Sequence, residues 1–133
     1  MTKILTNDEI NQFKKDGAIF LKGKFDASWI KKLQTGIEKD IKNPSPRFKS
    51  HTLEKGVPAY LEDYWTWHLV PEFTDFVFNS PYAKIASELM SAKKINLVMD
   101  NWFLREGGSK SKTPFHHDAV SYTHLTLPTI LLV

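Results

Sequence analysis

Residues 101–118 read NWFLREGGSKSKTPFHHD, and the way this stretch pairs with what precedes it decides the fold. From Lys94 to Arg105 the chain alternates, so that Ile95, Leu97, Met99, Asn101, Phe103 and Arg105 face one way and the residues between them face the other. That period of two predicts a strand. Gly107-Gly108-Ser109-Lys110-Ser111-Lys112 predicts a flexible turn, after which Thr113–Asp118 is expected to return as a second strand beside the first. Side chains two apart on a strand share a face, so His116 and Asp118 would project together while His117 points away. An imidazole nitrogen and a carboxylate oxygen leaving one strand this way can take adjacent positions on a metal. The same tripeptide also arises by chance in a chain of this composition, so its surroundings carry the weight.

Working outward, Thr6 and Glu9 have capping-box spacing, and Ile10 and Phe13 mark a short helix that should stop near Gly17. Ala18-Ile19-Phe20-Leu21 reads as a short strand. Asp26 is a candidate N-cap for a second helix, whose Ile30, Leu33, Ile37 and Ile41 recur along one side until Asn43-Pro44-Ser45-Pro46 ends it. Residues 47–71 hold Tyr60, Tyr64, Trp65, Trp67 and His68 without a clean period and read as loop with a helical turn. Ser80-Pro81 opens another helix, with Ile85, Leu89 and Met90 as its apolar side. Helices followed by strands make the class α+β.

The 133 residues suit one domain, and 41% hydrophobic with 25% charged residues is the balance of a folded, water-facing chain. The net charge of +3 does not imply a nucleic-acid partner, because lysines alternate with acids, as in Glu38-Lys39-Asp40. With no cysteine there is no disulfide framework and no thiolate site. Neither a signal peptide nor an apolar run long enough for a membrane is present in the sequence, so a cytoplasmic location is the expectation.

The run from Asn101 to Asp118 resembles the phytanoyl-CoA dioxygenase family of Fe(II)- and 2-oxoglutarate-dependent oxygenases, in which an apolar strand, a basic residue and a Gly- or Pro-containing turn lead into Pro, an apolar residue and His-x-Asp. The likeness extends back to Phe13-Lys-Lys-Asp-Gly17-Ala-Ile-Phe-Leu, similar to the family's opening helix and strand, and covers most of residues 7–119. It implies a double-stranded β-helix (jelly roll, cupin-like), with His116 and Asp118 as two ligands of a two-histidine, one-carboxylate iron site. Asn101 matches a strand position that in the family touches 2-oxoglutarate, and Trp65 sits by spacing where the preceding loop approaches the same pocket. Trp65, Trp67 and Trp102 also suit plain core aromatics, Arg105 a strand end in solvent, and His51 and His68 surface histidines. The implied partners are a small-molecule substrate and molecular oxygen, with no nucleic acid and no membrane, and the oligomeric state is open. An acid at Asp118, where related halogenases carry a small residue, points to hydroxylation.

Two features depart from the family pattern. A jelly roll needs about eight strands, and the forty residues after Lys93 hold only about three or four. The family's distal histidine and the arginine that pairs with 2-oxoglutarate come from strands well downstream of His-x-Asp and have no counterpart here, and His124 is a poor substitute because Ala119–Thr123 lacks the Gly, Asn or Pro of a tight return. Further, VSYTHLTLPTILLV, residues 120–133, contains no Asp, Glu, Lys or Arg, and VSYTHLTLPT is what a transposase sequencing adapter encodes. The expectation is an N-terminal piece of one dioxygenase domain over 1–119, with 120–133 a non-native tail, in a chain inactive by itself. A small non-catalytic interaction module with an exposed strand edge is the competing expectation.

Overall fold

The computed structural model describes residues 3–52, 54–113 and 115. His116, Asp118 and the tail 120–133 therefore lie outside the described residues.

The first helix, α1 (Asn7–Asp16), starts at Thr6, whose hydroxyl accepts the Glu9 N–H while the Glu9 carboxylate accepts the Thr6 N–H; it stops where Gly17 turns left-handed at φ 72°. Asp26 caps α2 (Ala27–Lys42) by accepting from the Ser28 and Trp29 amides. Its inward stripe runs Leu33, Gly36, Ile37, Asp40 and Ile41, whereas the expected stripe member Ile30 is 49% exposed. The helix α3 (Pro71–Asn79), which has proline in its first turn, is followed by α4 (Tyr82–Met90). On α4 Ile85 is buried as expected, but Met90 is 64% exposed.

The strands β1 (Lys49–Ser50), β2 (Tyr60–Tyr64) and β3 (Asn101–Arg105) form an antiparallel sheet in the order β1-β2-β3. The molecule is α+β as the sequence implies, but three local expectations change. Residues 18–21 form no strand; the described strands run elsewhere, and Phe20 stands 86% exposed. Within 47–71, expected as loop, lie β1 and β2. The strand expected over 94–105 is a ladder only from Asn101, because the inward set changes phase at Asp100. Ile95, Leu97 and Met99 are the less exposed residues before it, and Trp102 and Leu104 after it. At that point the Trp65 N–H bonds to the Asp100 carbonyl and both Asp100 carboxylate oxygens accept from Thr66.

Facing residues in an antiparallel pair project to the same side. The register Leu61↔Leu104 and Asp63↔Trp102 therefore builds the inner face, and Tyr60↔Arg105, Glu62↔Phe103 and Tyr64↔Asn101 the outer one. The inner face packs on the helices: Val70, Phe73 and Trp102 are buried, with Leu33, Ile37, Ile41, Leu61 and Leu104 against them. A second contact joins α1 to α4, where the Glu88 carboxylate accepts the Ile4 and Leu5 amides and Leu5 and Ile85 are buried.

Candidate functional site

The sheet register makes the two cofactor positions expected from the sequence neighbours along the backbone. Asn101 stands opposite Tyr64, the residue before Trp65, so both lie at one end of the β2–β3 ladder. Trp65 adopts φ 56°, a left-handed conformation rare for a bulky side chain. Its N–H donates to the Asp100 carbonyl at 3.0 Å and its own carbonyl accepts from Arg47 Nη2 at 3.1 Å. The indole is 44% exposed. It makes an edge contact with Tyr64, and the Arg47 guanidinium lies 5.8 Å from its ring centre. The core reading of Trp65 is thereby corrected: the neighbouring backbone twist turns it outward. Trp102 is a core aromatic and Trp67 is half-buried.

Beneath this end of the sheet sits a polar layer. Asp63, fully buried, accepts from the Ser45 N–H at 2.9 Å, the Ser45 hydroxyl at 2.7 Å and the Tyr64 N–H at 2.8 Å. Asp40, also buried, accepts from the Trp102 indole N–H at 2.8 Å. Burial pushes the Asp40 carboxyl above the usual aspartate range, the Trp102 bond opposes the rise, and the nearby carboxylates of Asp63 and Asp100 add to it. These aspartates are occupied by donors, and among the described residues no group of three or more His, Cys, Asp or Glu could hold a metal ion.

Of the strand expected over residues 113–118, all but Thr113 and Phe115 lie outside the described residues. The Ser111 hydroxyl donates to the His51 carbonyl and the Thr113 hydroxyl lies 2.8 Å from the Tyr60 hydroxyl, so the chain comes back over the outer face. Tyr60 is buried there, with the His51 ring 5.1 Å away and the Arg105 guanidinium 5.8 Å away. His51 also pairs with Glu62 at 3.1 Å, while His68 is exposed against Trp67. On the helix side, a cavity of about 340 Å³ between α2, α3 and α4 is walled by Leu33, Ile37, Phe73, Phe76, Leu97 and Met99 among others.

Sequence reasoning missed Arg47, Ser45, Asp63 and Asp40. Asp40 left a trace, because it falls on the apolar stripe of α2 three residues after Ile37. Arg47 left none, since its role depends on carbonyls that the loop places beside it. Comparison with family models, curated proteins and solved structures finds no match for this chain. Among the described residues no helix is long and apolar enough to cross a membrane.

Proposed function

We propose that the chain is the front part of an Fe(II)- and 2-oxoglutarate-dependent oxygenase similar to the phytanoyl-CoA dioxygenase family, which hydroxylates a small molecule, and that its sheet begins a double-stranded β-helix. The observation carrying this reading is the two-sided sheet: helices cover the inner face, while the outer face bears Asn101, a neighbour of Trp65 along the backbone, and is crossed by residues 111–113 on the way to His-x-Asp. A jelly roll lays a second sheet over such a face.

The described residues fit the co-substrate and leave the metal to others. The Asn101 amide can donate to a carboxylate, the Trp65 indole offers an apolar wall, and Arg47 sets a fixed positive charge beside Trp65. Iron falls to His116 and Asp118, which lie outside the described residues. When bound, iron would let molecular oxygen act as the oxidant for C–H hydroxylation, with 2-oxoglutarate giving up two electrons as it leaves as succinate and carbon dioxide.

Two ligands on one segment bind metal weakly without a third and without outer groups to orient them. The expected result is therefore weak Fe(II) binding by this chain, lost in His116→Ala and Asp118→Ala and weakened at acid pH as both groups protonate. No 2-oxoglutarate turnover is expected from the chain alone; succinate released in step with substrate oxidation would refute the incompleteness. The second reading, an interaction module, is favoured by the free outer edge of β3 among the described strands. Size-exclusion with and without Fe(II) and 2-oxoglutarate separates the two: metal-dependent compaction supports the oxygenase, and a hydrodynamic size indifferent to both additions supports the module.

A further inference from the structure

We infer that the free edge of β3 is built to pair, antiparallel and about a two-fold axis at Phe103, with the same edge of a second copy of this chain.

Hydrogen-bond directions alternate along a strand. The Trp65 N–H reaches the Asp100 carbonyl and the Glu106 N–H reaches the Ala59 carbonyl, so even-numbered residues of this segment direct their backbone groups at β2. Asn101, Phe103 and Arg105 consequently direct their N–H and C=O groups to the other edge, where no described strand pairs. An exposed edge of this kind is a template for another strand.

The sequence Asn101-Trp-Phe-Leu-Arg105 is complementary to itself in one register. With the axis at Phe103, Asn101 lies opposite the other copy's Arg105 at both ends and Phe103 lies opposite Phe103. All three are hydrogen-bonded pairs, about six bonds in total. Phe103 is 55% exposed, and an aromatic cross-strand pair would cover it. On the inner face Trp102 would meet Leu104, joining the two cores. Moving the axis two residues toward Arg105 sets arginine against arginine, and moving it toward Asn101 leaves Phe103 without its partner. Shifting the axis by one residue, to Trp102 or Leu104, keeps only two such pairs within β3, so the Phe103 axis makes the most bonds while holding the arginines apart, and the two three-stranded sheets become one continuous sheet.

The pairing rests on this edge being open: under the oxygenase reading an intact barrel would lay another of its own strands there, and among the described residues there is none. Sedimentation velocity on the full chain over a concentration series, without metal, tests it. The expected result is a monomer–dimer equilibrium. Asn101→Glu places an acid opposite Arg105 and should tighten the dimer about tenfold, while Asn101→Arg should weaken it by a similar factor. Phe103→Pro removes an outward N–H but no bond to β2, so it should abolish the dimer with the circular dichroism spectrum retained. A monomer at every concentration overturns the inference. So does a dimer indifferent to the two Asn101 substitutions, which would place self-association elsewhere in the chain. Neither result bears on Fe(II) binding by His116 and Asp118.

Discussion

Trp65 shows how a single backbone angle can decide what a side chain does. At φ 56° its Cβ crowds the following carbonyl, at a cost of about 1–2 kcal/mol that glycine does not incur. The conformation is held from both sides, by the Asp100 carbonyl on its N–H and by Arg47 on its carbonyl, and the result is an indole 44% exposed against Tyr64 and Arg47. Replacing Trp65 by alanine and by glycine removes the same indole but relieves the backbone only in the second case. The Trp65→Gly variant should exceed Trp65→Ala in stability by about 1 kcal/mol in urea titrations. Equal midpoints would mean that the angle carries no strain. The spacing of aromatic residues brought Trp65 to notice, but nothing in the spacing foretold the left-handed turn, because that turn is imposed by bonds to residues 18 positions before and 35 positions after it.

At the level of elements, helices were legible where their instructions are local. Thr6 and Glu9, Gly17 and Asp26 act on amides within a few residues, and α1 and α2 begin and end where those residues stand. Of the strands, the alternation foretold β3 but not its start at Asn101, whereas β1 and β2 were not legible, because their partners are remote. In Tyr60-Leu-Glu-Asp-Tyr64 the two inward positions are Leu61 and Asp63, so a charged residue occupies a core place and erases the alternation. Ser45, brought by the turn after α2, together with the Tyr64 N–H makes that aspartate acceptable. The close packing of α2 on α3 is equally silent in the sequence. Gly36 faces Phe73 so closely that an added Cβ would lie 2.5 Å from the ring carbon Cε1. Gly36→Ala raises helix propensity yet should destabilise the protein by about 1–3 kcal/mol, since the buried ring must shift. Thermal unfolding checks the sign: a higher midpoint would show that α2 and α3 stand further apart.

On the scale of the whole molecule, ionisable groups pull the pH dependence of stability in two directions. Glu88 is held below the usual glutamate range by the Leu5 and Ile4 amides, and Glu9 by the Thr6 amide and Lys24. Ser28 does the same for Asp26, Lys39 for Glu72, and Lys32 for Asp75. Each depressed group contributes stability that is present above its unfolded pKa, near 4, and is lost as pH falls through the folded value. Asp40 works in the opposite sense. Burial holds its proton more tightly in the folded than in the unfolded chain, so its contribution is complete below the unfolded pKa and is lost as pH rises through the raised one. The two limbs therefore oppose each other, one weakening the fold as pH falls and the other as pH rises. Asp40→Asn keeps an oxygen for the Trp102 indole N–H and offers an amide toward Asp63, yet cannot ionise. It should flatten the limb on the neutral side, leaving the variant at least as stable as the parent at pH 7, while the acid limb, which belongs to the other carboxylates, stays in place. Urea midpoints across a pH series read both limbs separately. If the variant's curve runs parallel to the parent's at every pH, Asp40 does not titrate in this range and serves only as the acceptor that ties α2 to β3.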